Sequence, residues 1–305
     1  MAQGVILMPM NKLLDSFWRA AVYCLHPRVI ALSVLPLVIM AVIALGLGYF
    51  FWDDTLTQIR AGLESFEMLG TMVRWLEGLG LGGLRAVLAP VVLLFLAIPV
   101  IVIVSLLFVA IFMTPAMVAL VAERRFPKLE KKEGGSMLAS VFWSLGSTLV
   151  AAIALVLSIP LWLVPPLILI LPPLIWGWLT YRVMSYDALS NHASPEERRQ
   201  IFKEHRASLL SIGVISGYLG AAPSLIWASG AMFVAAAPIL VPVAIWIYTL
   251  VFAFSSLWFS HYALAALEQM RAKNAALAEE IRAQAAPELI ANKPDEAIDL
   301  LLPGI

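Results

Sequence analysis

The stretch AVLAPVVLLFLAIPVIVIVSLLFVAIFMTPAMVALVA, residues 86–122, contains no Asp, Glu, Lys or Arg. Three further uncharged runs cover residues 29–52, 134–181 and 207–267, and the four runs together exceed half of the 305 residues. A helix of about 20 apolar residues crosses the hydrocarbon core of a bilayer. Each run is therefore long enough to cross at least once, and the chain is expected to be a multi-pass membrane protein whose solvent is the lipid bilayer.

The composition supports an all-α fold. The chain is 62% hydrophobic and 13% charged, with a mean hydropathy of +0.91. In hydrocarbon every backbone N–H and C=O must be paired within the protein, which leaves helices or closed barrels. Barrel strands would give segments of about ten alternating residues, whereas these runs are continuous. We predict a polytopic helical membrane protein.

The distribution of basic residues predicts the topology. If the first two runs each cross once and the last two each enter and return, 17 of the 20 Lys and Arg residues fall on one side. The positive-inside rule makes that side cytoplasmic. We therefore expect a multi-pass protein of the bacterial inner membrane with both termini in the cytoplasm and residues 53–85 outside.

The order of apolar and charged segments predicts the organisation of the chain. The membrane domain is expected over residues 29–265, and its second span is expected to break at Thr114-Pro115. The predicted segments are an amphipathic cytoplasmic helix over 1–28, full spans over about 29–51 and 86–113, an outside amphipathic helix over 54–77, hairpins over about 147–182 and 207–265, a cytoplasmic helix over 266–286 and a disordered tail over 287–305.

Prolines interrupt the last two runs and indicate broken helices. The third run contains Pro160, Pro165, Pro166, Pro172 and Pro173, and the fourth contains Pro223, Pro238 and Pro242. About 12 residues separate Thr148 from Pro160, which is too few for a full crossing at 1.5 Å per residue. We expect two re-entrant hairpins that enter and leave on the cytoplasmic side; two full spans with a proline-rich outer turn are the alternative.

The motifs of common enzymes are missing from the sequence. It contains no Gly-rich phosphate loop followed by Lys-Ser/Thr, no HExxH and no CxxC, and its four histidines are scattered. Neither a catalytic group nor a metal or cofactor site is therefore predicted. The chain is not expected to be an enzyme or to bind nucleic acid.

Small and hydroxyl residues near the starts of the predicted hairpin helices are candidates for anion binding. Backbone N–H groups at a helix start attract anions. The candidates are Ser147 and Thr148 in one hairpin and Gly217, Gly220 and Ser224 in the other, with Arg182 drawing the anion to a cytoplasmic mouth. Two alternatives stay open: small residues also serve helix packing in lipid, and Arg182 can extend its side chain to lipid headgroups.

The tail carries a short heptad pattern. Leu267, Met270, Asn274, Leu277 and Ile281 follow a 3-4-3-4 spacing with one asparagine in the seam. This pattern is typical of a short coiled coil, and a solvated amphipathic helix is the alternative. It motivates a second hypothesis for function, a non-transporting membrane scaffold that recruits a partner or self-associates through this helix.

Several segments resemble the CysZ-type sulfate permease family, which shares a superfamily with the eukaryotic etoposide-induced membrane protein. They are LPL at 35–37, TPAMVALVAE at 114–123, the proline-rich hairpin and YDALSNH at 186–192. The resemblance implies two true spans, two partly penetrating hairpins, assembly as homo-oligomers and sulfate uptake. The sulfate-associated stretch of the family corresponds here to GYLGAAPS, residues 217–224, where Gly220 and Ser224 match and threonine is missing.

Overall fold

A computed structural model describes residues 2–65, 71, 84–132, 134–135, 137–221 and 231–292. All regular structure within these ranges is helical, which confirms the predicted fold class. The α-helices are α1 (Ala2–Cys24), α2 (Pro27–Ser65), α3 (Leu84–Arg125), α4 (Met137–Ser158), α5 (Pro165–Ser190), α6 (Pro195–Glu204), α7 (Arg206–Ala221) and α8 (Ala231–Asn292), and a short 3-10 helix covers Ile159–Leu163.

Four of the described segments are long and apolar enough to cross a membrane: Pro27–Gly62, Leu138–Leu163, Pro165–Ser190 and Pro242–Gln284. Within α3, the described residues give a shorter apolar stretch, Leu88–Ala97. These findings support a multi-pass helical membrane protein.

The first two predicted spans are longer helices than expected. The span at 29–51 and the outside helix at 54–77 are not separate, because α2 runs through Asp53 and Asp54 to Ser65. The rest of the predicted outside helix, apart from Thr71, lies outside the described residues. The predicted break at Thr114-Pro115 is also wrong, since α3 continues to Arg125. A proline removes one hydrogen bond from a helix, and membrane helices tolerate that loss.

The third run forms a hairpin of α4 and α5, which pack against each other around the 3-10 helix. The length-based reason for re-entry is wrong, because α4 begins at Met137 rather than near Ser147. Its 22 residues rise about 33 Å, which matches a hydrocarbon core of about 30 Å. The alternative of two full crossings therefore fits the helix lengths, and re-entry stays a prediction.

The fourth run and the tail share one helix. Pro238 and Pro242 lie inside α8, so neither proline breaks it, while Pro223 lies outside the described residues. The predicted tail helix at 266–286 is the continuation of α8 rather than a separate element. Residues 287–292 are helical, so the prediction of disorder is wrong for them, and residues 293–305 lie outside the described part of the chain.

The N-terminal helix has an exposed apolar face. Leu14, Trp18 and Val22 are 51%, 66% and 64% exposed and lie one turn apart along α1. Such a face is typical of a helix that lies on a membrane surface. Cys24 ends this helix; its side chain is half-buried, and burial raises the pKa of its thiol to about 11.

The chain divides into two compact units. Unit 1 comprises Met1–Arg19, Val118–Ile215 and Leu257–Ile305, and unit 2 comprises Ala20–Met117 and Ser216–Ser256. In unit 2, the indole of Trp246 donates to Ser33 Oγ at 3.0 Å. Among the described residues of this unit, Ala89, Ala244 and Ala253 are buried, as expected where small residues let membrane helices pack closely.

In unit 1, α5 and α7 approach each other through two glycines. A Cβ atom on Gly177 would lie 2.6 Å from Val214 Cα, and one on Gly213 would lie 2.3 Å from the Gly177 carbonyl oxygen. Both distances are too short for a real contact with backbone atoms. The two helices therefore keep this separation only because both positions lack a side chain.

We expect Gly213→Ala to destabilise the protein by about 1–3 kcal/mol, because the added methyl group forces the two backbones apart. Gly146→Ala is the matched control, since a Cβ atom there meets no atom within 4 Å. Thermal unfolding of the purified protein followed by tryptophan fluorescence measures both changes. Equal melting temperatures for the two variants would contradict the packing described here.

Candidate functional site

The α4–α5 hairpin is held by polar contacts near its open end. Ser140 Oγ donates to Asp187 Oδ1 at 2.5 Å, and the indole of Trp143 donates to the Arg182 carbonyl oxygen at 2.9 Å. These pairs fix the antiparallel register of the two helices. They also place Arg182 beside Trp143 rather than near the hairpin turn.

Arg182 lies among aromatic rings. Its guanidinium carbon is 3.9 Å from the centre of the Trp143 ring and 5.7 Å from that of Trp178. The side chain is half-buried, and its Nε atom is buried without a hydrogen-bond partner among the described residues. Within the same part of the chain, no carboxylate forms a salt bridge with it. Among the described residues, Arg182 thus has aromatic neighbours and no carboxylate partner.

Ser147 and Thr148 lie on the same hairpin as Arg182 but not at a helix start. Both are ten or more residues into α4, where backbone N–H groups already donate to carbonyls one turn earlier. Ser147 is buried and Thr148 is exposed. The expectation that these residues present free N–H groups to an anion is therefore wrong.

Gly217 and Gly220 lie in α7 and belong to unit 2, whereas Ser147, Thr148 and Arg182 belong to unit 1. Both glycines are near the end of the described part of α7, and a Cβ atom on Gly220 would meet no atom within 4 Å. Their positions do not show a helix start there. Ser224 lies outside the described residues.

A second polar cluster in unit 1 centres on Arg271 of α8. Its Nε and Nη2 atoms each donate to a carboxylate oxygen of Glu197 at 2.9 Å. Its Nη1 atom donates to the Glu130 carbonyl at 2.9 Å, and Nη2 also donates to the His192 carbonyl at 2.6 Å. Glu197 also forms a salt bridge with Lys132, whose Nζ atom lies 2.9 Å from Oε1. Arg271 thereby fastens α8 to the start of α6 and to the segments before α4 and α6.

Glu197 has two structural roles. Its side chain accepts the Ser194 N–H at 2.9 Å while the Ser194 hydroxyl accepts the Glu197 N–H at 3.2 Å, which forms a capping box at the start of α6. The hydrogen bonds from Arg271, despite the opposing effect of burial, lower the pKa of the Glu197 carboxyl to about 2. It is therefore charged at neutral pH, and the ion pair with Arg271 is intact.

His192 is held neutral beside this cluster. The residue is 3% exposed, and its Nδ1 atom has no hydrogen-bond partner among the described residues. Burial lowers the pKa of its imidazole, and the charges of Lys131 and Arg271 lower it further. A proton on this ring would be buried next to two cations.

The sequence did not single out Trp143, Trp178 or Arg271. Tryptophan is common at membrane interfaces, so neither indole stood out, and nothing in the local sequence pairs residue 271 with residue 197. Across the described residues, no group of three or more His, Cys, Asp or Glu side chains could hold a metal ion.

We expect the melting temperature to fall as the pH is lowered from 7.5 to 5, because the unfolded chain takes up a proton on His192 more readily than the folded one. The contribution of this residue is present above the usual histidine pKa of about 6.5 and is lost as the pH falls through the lower folded value. In His192→Gln the pH dependence should be weaker, and melting curves at several pH values measure it. A variant as pH-sensitive as the natural protein would exclude His192 as a cause.

The comparison with protein families gives one match. Residues 16–229, more than two thirds of the chain, match the EI24 family, described as sulfate transporter CysZ/etoposide-induced protein 2.4. Neither the curated proteins nor the solved structures gave a match. The match includes the α4–α5 hairpin and Arg182 and ends before α8. On the extent of this match, the chain belongs to the EI24 family of sulfate transporter CysZ and etoposide-induced protein 2.4.

Proposed function

We propose that this protein is a passive permease for sulfate or a related oxyanion in the bacterial inner membrane. The family description names a sulfate transporter, and the predicted topology places both termini in the cytoplasm. The four uncharged runs supply no carboxylate for proton coupling. Flux would then follow the concentration gradient of the anion.

The observation that carries the proposal is the unpaired Arg182. Among the described residues this guanidinium has no carboxylate partner, although it lies in a hairpin that exposes many large apolar side chains. A cation in such surroundings attracts an anion more strongly than it would in water. One charge also binds weakly enough to release the anion again, which conduction requires.

The cytoplasmic segments support the assignment of an anion pathway. Arg124 lies in the last turn of α3, Lys128 and Lys131 follow that helix, and Arg199 and Lys203 lie on α6; all five are exposed. A concentration of positive charge at one face raises the local concentration of anions. Gly217, Gly220 and Ser224 stay candidates for contacts along the path, and assembly as a homo-oligomer is part of the proposal.

We expect Arg182→Gln to lower sulfate uptake into proteoliposomes at least tenfold. A hydrogen bond to a charged group contributes about 1.5–3 kcal/mol, and about 1.4 kcal/mol corresponds to a tenfold change. Arg282→Gln is the control, since it removes the same charge from an exposed position on α8. Radiolabelled uptake, with empty vesicles as background and chloride or phosphate as competitors, provides the measurement. Equal uptake by the two variants would argue against a role for Arg182.

A second candidate function is a membrane scaffold, favoured by the exposed end of α8. Every residue from Ala272 to Gln284 is exposed, and Leu277 and Ile281 are 54% and 57% exposed. Large aliphatic side chains on a projecting helix are typical of a binding surface. This part of the chain also lies outside the family match.

For the scaffold function, deleting residues 273–305 should remove a partner or reduce the oligomeric mass. The deletion keeps Arg271, so the contacts that fasten α8 are retained and the melting temperature should change little. Leu277→Ser with Ile281→Ser gives a full-length test of the same face. Light scattering and affinity purification measure mass and partners, and unchanged values for both variants would rule out recruitment through the tail.

A further inference from the structure

We propose that the outer edge of the Arg182 guanidinium binds one tetrahedral oxyanion group, a sulfate or a phosphate, and that Trp143 is the residue that positions it. The inference rests on the proposed function and deepens it, because it names the ligand chemistry of the Arg182 site and a residue that shapes it. The group could belong to a free anion or to a phospholipid headgroup. Both present the same tetrahedral oxygens.

The first step is to identify which part of the Arg182 guanidinium can bind an anion. The guanidinium carbon lies over the Trp143 ring, 3.9 Å from its centre and 5.7 Å from the centre of the Trp178 ring, so Trp143 covers one side of the cation. The N–H groups of a guanidinium point outward in its plane, and two of them match two oxygens of one oxyanion. Among the described residues, the buried Nε atom has no hydrogen-bond partner.

The second step is the rigidity of Trp143. Its indole N–H donates to the Arg182 carbonyl at 2.9 Å, and its ring stacks on Tyr186 at 5.3 Å with an interplanar angle of 25°. The Tyr186 ring in turn lies 4.2 Å from the Arg198 guanidinium, which donates to the Gly134 carbonyl. These contacts hold the indole in one orientation, and the indole holds the plane of Arg182.

The third step is the position of the neighbouring carboxylates. Asp187 is five residues along α5 and therefore about 140° around the helix from Arg182. Its carboxylate accepts from Ser140. Glu197 is occupied by Arg271 and Lys132. The acids of this hairpin and of α6 thus have other partners, and an anion at Arg182 meets no competing carboxylate among them.

The surface around the site accounts for the two sources of the oxyanion. Phe142, Leu145 and Leu149 are 71%, 64% and 62% exposed on α4, as expected for a face in contact with lipid chains. Arginine beside tryptophan at such a face is placed where phospholipid phosphates lie. A sulfate ion passing the same mouth would present equivalent oxygens.

The test compares four variants of the full-length protein: Arg182→Lys, Trp143→Leu, Trp143→Phe and the control Trp162→Leu. Trp162 is an indole in the same hairpin that donates to Ser158 instead. One arm measures binding of radiolabelled sulfate or inorganic phosphate to delipidated protein by equilibrium dialysis. The other arm measures retained phospholipid by native mass spectrometry. Melting curves establish that each variant is folded.

We expect Arg182→Lys to weaken binding about tenfold or more, because lysine lacks the two-pronged edge. Trp143→Leu should weaken it by a similar factor, and Trp143→Phe should restore most of it, because phenylalanine keeps a ring face for the cation. The Trp162 control should bind normally. If Trp143→Leu does not fold, the test of oxyanion binding rests on the comparison of Arg182→Lys with Trp143→Phe.

The outcomes separate the two sources and the two proposals. Loss in the dialysis arm identifies a free anion, and loss in the mass spectrometry arm identifies a headgroup. Unchanged binding of every variant in both arms, or no binding by the natural protein, overturns the site. If the protein takes up sulfate and substitutions of Arg182 or Trp143 do not change that uptake, the binding site is rejected and the permease proposal stands. If the protein binds an oxyanion but takes up no sulfate, the permease proposal is rejected and the binding site stands.

Discussion

Every peptide group of this chain that lies in hydrocarbon must find its hydrogen-bond partner within the protein, and the treatment of proline follows from that constraint. Pro36, Pro172 and Pro173 lie inside helices. In the hairpin the chain changes direction only at Ile159–Leu163, which forms a 3-10 turn. The Val164 N–H donates to Leu161 at 3.2 Å, and the next helix then begins on Pro165.

Two kinds of contact stabilise unit 1. Within the helical layer, the glycines at 177 and 213 allow backbone contact, and packing provides the energy because lipid supplies little hydrophobic drive. In the polar segments, the guanidinium of Arg271 gathers carbonyl and carboxylate oxygens from three separate segments. An extensive ion-pair network would carry a large desolvation cost in lipid, so glycine contacts are used there. In the polar segments, glycine contacts alone would add little stability, and the Arg271 network joins the chain.

The sequence predicted the fold class and the presence of a proline-rich hairpin, because uncharged runs and prolines are local signals. It did not predict helix ends. Asp53 and Asp54 were expected to end a span, yet a helix needs only its own backbone to continue into solvent, and α2 does so. Similarly, Pro115, Pro238 and Pro242 were expected to interrupt helices. Each of them lies inside a continuous helix instead.

The candidate site was only partly predictable. Arg182 was identified because it ends an uncharged run, whereas its contact with Trp143 depends on the register between α4 and α5. That register depends on where α4 begins, and Ser136, a residue type favoured at helix N-caps, precedes Met137 but was not taken as a helix start. The proposed helix-start role of Ser147 and Thr148 was wrong for the same reason, since an error of ten residues in a helix start moves a residue into the helix interior.

The half-buried thiol of Cys24 has a practical consequence for labelling chemistry. Burial raises the pKa of this thiol to about 11, so a much smaller fraction of it is the reactive thiolate at pH 7.5 than for an ordinary cysteine. Maleimide reagents will therefore modify a newly introduced surface cysteine long before they modify Cys24. Cysteines placed one at a time along Ile159–Leu163 can report the depth of the hairpin turn by their accessibility to impermeant reagents, with the native thiol left in place.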